Sequence, residues 1–146
     1  MTDVRTILLT TDFSETSIRA CAPAAGLAQR FGARILVVHV EDDRVSPLLV
    51  EYMAVGLEGL RRQQTEQSKG QLAEFAARYL EPELEVELEV ALGVPHVEIV
   101  RLAAERDVDL IVMATHGRGF ISHAIMGSTT ERVLRRAPCP VLVVRD

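Results

Sequence analysis

The residues best placed to do chemistry lie in one stretch, Met113–Ala114–Thr115–His116–Gly117–Arg118–Gly119, continuing through Met126–Gly127–Ser128–Thr129. An unbroken apolar run, Leu110 to Ala114, enters it, and a helical pattern from Thr129 to Arg136 leaves it. Small, polar and glycine residues fill the loop between. A strand, a glycine loop and a helix N-terminus in that order let backbone N–H groups converge on an anion such as phosphate. Glycines at such a place also serve as plain turn residues. The loop lacks the Gly-Lys-Ser/Thr ending of a Walker A loop. Gly117-Arg118-Gly119 supplies two glycines of a dinucleotide fingerprint, with Ser122 where the third belongs. The first strand-to-helix turn, Thr11-Asp12-Phe13-Ser14, has no glycine where that fingerprint sits.

Several elements must position this stretch. Thr6 to Thr11 reads as a short buried strand bounded by Asp12. Ser14 is a good N-cap for a helix to about Phe31. Its stripe is Ile18, Cys21, Ala22, Ala25 and Ala28, with a kink at Pro23 and a stop at Gly32. Ile35 to Val40 is a second continuous strand, and Glu41-Asp42-Asp43 with Pro47 marks a loop. A long helix is predicted from about Leu48 or Met53 to Leu80. Its middle, Arg61 to Gln71, is polar all round and is expected to overhang the sheet or lie in solvent. Glu83 to Val90 alternates strictly, which predicts a strand with one wet face, and its four glutamates suit the border of a sheet. Gly93 and Pro95 open a third helix with the stripe Val97, Val100, Ala103 and Ala104. Leu110 to Ala114, the helix from Thr129, Pro138-Cys139-Pro140 and the strand Val141 to Val144 complete the chain.

This βαβαβαβαβ order predicts an α/β fold in which a five-stranded, mainly parallel sheet is doubly wound, with helices on both faces in three layers. At 146 residues a single domain over 1–146 is expected. Ligands in such sheets bind beyond the carboxyl ends of the strands. Those ends carry Thr10-Thr11-Asp12, His39-Val40-Glu41, Ala91-Leu92-Gly93 and Thr115-His116-Gly117. A phosphoacceptor receiver domain has a similar order, but the third strand ends in Ala91-Leu92-Gly93 with no aspartate to phosphorylate.

Composition narrows the function classes. A formal charge of −5 argues against a general nucleic-acid binder, which needs a cationic surface. No apolar run approaches the ~20 residues of a membrane span. Met1-Thr2-Asp3-Val4-Arg5 shows no basic region followed by an apolar stretch, so the cytoplasm is the expected compartment. Cys21 and Cys139 form no framework and no CxxC motif. His116 and His123 lack metal-ligand spacing. No nucleophile–base pair or GxSxG elbow stands out.

Gly117, nine intervening residues, then Gly127-Ser128 resembles the Gly-x2-Gly-x9-Gly-Ser/Thr signature of the universal stress protein family. Thr11-Asp12-Phe13-Ser14, Val38-His39-Val40 and Ala137-Pro138-Cys139-Pro140-Val141-Leu142-Val143-Val144 resemble its first-strand motif, second-strand end and closing segment. The resemblance implies a Rossmann-like sheet of strand order 3-2-1-4-5 that binds ATP. By the same resemblance Asp12 and Val40 border the adenosine, Val40 through its backbone. Gly117, Gly127, Ser128 and Thr129 cradle the phosphates; Arg118 has no family-fixed role, and its charge is of the kind that reaches a terminal phosphate. Thr10, Thr11, Met113, Ala114, His116 and Gly119 complete the expected binding set. Asp12 is the candidate carboxylate for a magnesium ion carried by the phosphates. One departure stands out: the first glycine of the signature falls at Ala114. Its methyl would crowd a ligand or bar a positive φ if the site requires one. The implied role is a nucleotide-binding regulator of the stress response. The alternatives are a slow Mg-dependent ATPase or autophosphorylating enzyme, and an interaction module without ATP. In the family's strand order Val141 to Val144 forms an uncovered apolar edge, which implies a homodimer through that strand.

Overall fold

The computed structural model describes residues 3–42, 57–116 and 126–145. Five parallel strands form one sheet: β1 (Thr6–Thr10), β2 (Arg34–Asp42), β3 (Val86–Gly93), β4 (Leu110–Ala114) and β5 (Val141–Val144). Their order is β3-β2-β1-β4-β5, as the resemblance implied. The central strands β1 and β4 are buried almost throughout, because both faces are covered and their side chains alternate between two cores. On one face Ile7, Leu9, Ile35, Val37 and Val112 pack against α1 (Glu15–Ile18), α2 (Cys21–Phe31) and α3 (Leu57–Tyr79). On the other, Leu8, Leu36, Val38, Ile111 and Met113 meet α4 (Pro95–Glu105) and α5 (Ser128–Arg136). The sheet changes sides between β1 and β4, so its crevice opens there.

Local chemistry explains where the sequence-based expectations need revision. The helix after β1 is two helices rather than one kinked helix. Ser14 caps α1 as expected, accepting the Ser17 N–H. The chain then breaks at Arg19 and Ala20, whose N–H groups make tight bonds to Thr16 and Ser17 carbonyls. Pro23 clashes with a helical carbonyl four residues back, at Arg19, but in the first turn of α2 its missing N–H has no intrahelical use. Ala24 is buried and Ala22 is exposed, so the packing face of α2 is Cys21, Ala24, Ala25 and Ala28.

β2 continues through Glu41 and Asp42, which pair with Leu92 and Gly93 of β3, so the expected loop does not begin at Glu41. The buried face of α4 is Ile99, Leu102 and Ala103, while Val97 and Ala104 are exposed. β3 is a border strand, but its glutamates are not simply wet. Glu87 is half-buried and pairs with Arg34 over 3.2 Å and with Arg106. The expected start of the long helix lies outside the described residues. Its polar stretch is mostly exposed, with one exception the sequence did not suggest: Ser68 is buried against Glu41. Leu72 and Phe75 anchor the following turns in the core.

Candidate functional site

The first wall of the crevice is the turn after β1. Thr11 N–H donates to the Val38 carbonyl at 2.9 Å, keeping the turn in line with β2. Asp12 Oδ1 accepts the Ser14 N–H at 3.0 Å and the Ser14 hydroxyl at 2.5 Å, an Asx turn that launches α1. Ser17 Oγ donates to the Ser14 carbonyl, so the Thr11 hydroxyl donates to Ser17 Oγ over 2.9 Å while accepting the Phe13 N–H. These bonds hold Phe13 at φ 67°, a left-handed conformation that costs a residue with a Cβ about 1 kcal/mol or more. The Phe13 ring packs on His39 with centroids 4.3 Å apart, and edge-on against Phe75 at 6.2 Å. His39 Nδ1 in turn donates to the Thr11 carbonyl at 2.9 Å. Phe13 was not expected from the sequence to be left-handed; local turn bonds hold its backbone, and the distant His39 and Phe75 rings pack on its side chain.

The second wall is the end of β2. Val38 uses its carbonyl toward β1, so Val40, two residues on, turns the same backbone edge in that direction. β1 has ended by then, at the level of Val38. The Val40 edge therefore faces the crevice instead of a strand. Glu41 follows it, buried and held by Ser68 and Thr65 of α3. Sequence reasoning placed Glu41 at a strand end but assigned it no role.

The third wall joins β4 to α5. Ala114 is buried and extended in β4, so its methyl breaks no positive-φ requirement. Its carbonyl accepts Thr130 Oγ1 at 3.0 Å, and the Thr115 carbonyl accepts the Gly127 N–H at 2.8 Å. Thr115 also donates to the Val144 carbonyl through both its N–H and its hydroxyl. These contacts dock the first turn of α5 on the end of β4. Gly127 is the N-cap at φ −68°, ψ 155°, and among the described residues no side chain caps the helix. The Gly127 N–H is already committed, so the donors that α5 presents begin at Ser128, then Thr129 and Thr130, the N–H groups that have no intrahelical partner.

Every described member of the expected binding set lines one cleft of about 860 Å³: Thr10, Thr11, Asp12, Val40, Met113, Ala114, His116, Gly127, Ser128 and Thr129. Gly117, Arg118 and Gly119 lie outside the described residues. The volume suits a mononucleotide-sized ligand. Asp12, Glu41, Asp42 and Glu131 make the described lining acidic, and it holds no lysine or arginine. Among the described residues no group of three histidine, cysteine or carboxylate side chains gathers for a metal ion. A second groove, about 640 Å³, lies at the opposite ends of the strands. Several of its charged groups are engaged: Arg5 pairs with Asp3, Asp109 accepts the Arg5 and Thr6 backbone N–H groups, and Arg34 and Arg106 pair with Glu87, outside the groove's lining. Burial pushes the Cys21 thiol up to about 11. Burial, with the Asp109 carboxylate, also raises Cys139, so neither cysteine is poised as a thiolate at neutral pH.

Comparison with known proteins agrees with this architecture. The universal stress protein family model matches residues 3–145. Universal stress protein MJ0577 of Methanocaldococcus jannaschii is 32% identical, over 95% of this chain and 93% of its own. The solved structure of MJ0577 aligns with a TM-score of 0.85 at 29% identity, over 97% of this chain and 96% of that one. A universal stress protein in complex with cAMP (23% identity, TM-score 0.64, 99% and 98% covered) shares the fold. So does one from Archaeoglobus fulgidus in complex with dAMP (20% identity, TM-score 0.66, 98% of each chain). With the family model matching almost the whole chain and a relative of 32% identity covered nearly end to end, the chain belongs to the universal stress protein family.

Proposed function

We propose that the cleft binds an adenine nucleotide, ATP foremost, and that the protein is a nucleotide-responsive regulator of the stress response acting in the cytoplasm. One observation carries the reading. The uncapped N-terminus of α5 and the open backbone edge of Val40 face the same cleft, with Asp12 beside it. The helix end suits phosphate and the strand edge suits a base with adjacent donor and acceptor groups. The relatives solved with cAMP and dAMP support the choice of adenine. Ser128 and Thr129 offer N–H and hydroxyl donors to the phosphates, and Gly127 leaves room for their approach. The signature spacing assigns Gly117 to the same cradle, and Arg118 and Gly119 follow it directly in the chain.

An acidic lining disfavours a bare polyphosphate, so ATP is expected to enter with magnesium. A magnesium ion is commonly held by one or two carboxylates plus substrate phosphates, and Asp12 is the carboxylate placed for that role. Calorimetric titration with ATP is the direct test. Saturable one-to-one binding is expected, weakened at least about tenfold when EDTA removes magnesium. Absence of binding at millimolar ATP would leave the interaction-module reading. Turnover over hours, abolished in Asp12→Ala, would assign the slow ATPase.

The proposed assembly is a homodimer through β5. This strand is the border of the sheet beyond β4, and Leu142 is 38% exposed. The opposite border, β3, carries charged Glu87 and Glu89, whereas Val141 to Val144 carries no charge to deter pairing. Gel filtration at micromolar concentration is expected to give a dimer, and Leu142→Lys a monomer. A monomer in both would refute the interface. Among the described residues no helix is long and apolar enough to cross a membrane.

A further inference from the structure

Glu41 is 5% exposed and yet lines the cleft beside Val40. Among the described residues its partners are two neutral hydroxyls of α3. Ser68 Oγ donates to one carboxylate oxygen, and Thr65 Oγ1 donates to the other over 3.4 Å. Among the described residues no lysine or arginine pairs with it. A carboxylate has about four acceptor positions, so two hydroxyls leave acceptor capacity on a group withdrawn from water. Such a group is costly unless donors arrive from elsewhere. The helix above it is also unusual. Gln64, Gln67, Ser68 and Gln71 share the face of α3 that a packed helix makes apolar, and that face is turned to the cleft.

We infer that Glu41 is a specificity determinant for the nucleobase, selecting a 6-amino purine over a 6-oxo purine by accepting an N–H of the exocyclic amine. The inference rests on the nucleotide reading above. An exocyclic amine carries two N–H groups. The open Val40 edge supplies an acceptor for one, and the Glu41 carboxylate, on the next residue, accepts the other. A 6-oxo base brings an oxygen lone pair toward the same carboxylate and leaves it without its donor. Sites built around a buried hydrogen bond reject analogues that lack it more strongly than apolar pockets reject a missing methyl.

The test compares ATP and ITP affinities by calorimetry on the full chain and on Glu41→Gln. Glutamine keeps one oxygen for the Ser68 hydroxyl, and its N–H₂ takes the place of the oxygen beside Thr65, donating one N–H to the Thr65 hydroxyl and leaving the other to face a 6-oxo group. The preference for ATP over ITP is expected to fall about tenfold in the variant, through tighter ITP binding, at a similar melting temperature. A ratio unchanged within about twofold overturns the proposal. A ligand-side measurement needs no substitution. N6-methyl-ATP lacks one of the two N–H groups and should bind the unmodified chain about tenfold more weakly than ATP. Equal affinities overturn the proposal as well. If neither ATP nor ITP binds the unmodified chain, the nucleotide reading falls and takes this inference with it, which is a different outcome from an unaltered preference.

Discussion

Gly127→Val is expected to weaken ATP binding at least about a hundredfold, ~2.7 kcal/mol, while the protein melts within a few degrees of its normal temperature. The two halves of that expectation have separate causes. Gly127 sits at φ −68°, ψ 155°, extended backbone that valine adopts readily. Its N–H donates to Thr115 and its carbonyl accepts the Glu131 N–H, and valine retains both groups. Gly127 provides no side-chain cap, so none is lost, and the cost to the fold stays small. A branched side chain at that point, however, fills the mouth of α5 where the Ser128 and Thr129 N–H groups face the cleft. Calorimetry and a thermal melt on the same preparation read both halves. Undiminished binding would remove the N-terminus of α5 from the site.

Thr130→Val acts through stability instead. The Thr130 hydroxyl donates to the buried Ala114 carbonyl at 3.0 Å and ties the first turn of α5 to the last residue of β4. Valine matches threonine in shape, so the packing volume is kept and the carbonyl loses its donor. An unsatisfied buried acceptor costs roughly 1–3 kcal/mol. Urea unfolding should show a loss of about 2 kcal/mol at an unchanged slope with denaturant. Full stability in the variant would mean that another donor satisfies Ala114.

Much of the frame was legible from residue patterns alone. Continuous apolar runs such as Leu110 to Ala114 announce strands buried on both faces, and they recur with helices between them. The strand order was not readable from those patterns; it came with the family resemblance. The revisions share a cause, which is contact over long separations. Glu41 and Asp42 look like loop residues, but Glu41 stays in β2 because hydroxyls 24 and 27 residues away accept its burial. Phe13 takes its left-handed backbone inside a local Asx turn, but what its ring packs on, His39 and Phe75, lies far along the chain. The α4 stripe was displaced because an isolated 11-residue helix of mostly apolar and small residues admits more than one buried face, and only docking against α5 and the sheet selects Ile99, Leu102 and Ala103. The binding set fared differently. Its described members come from strand ends and one helix start, places fixed by topology, and they line a single cleft.

The two ends of α3 are fastened by different forces. Toward its C-terminus Leu72 and Phe75 are sunk in the core, with Leu80 just beyond. From Glu58 to Gln67 no described side chain is buried, and the fastening there is Thr65 and Ser68 reaching down to one carboxylate. Hydrophobic burial weakens on cooling, whereas hydrogen bonds to a single charged group answer to local competition from water and solutes. The helix is thus a lever with an oily hinge and a polar latch. Among the described residues, a solute that competes for the Glu41 carboxylate would slacken the latch without touching the apolar contacts of Leu72 and Phe75.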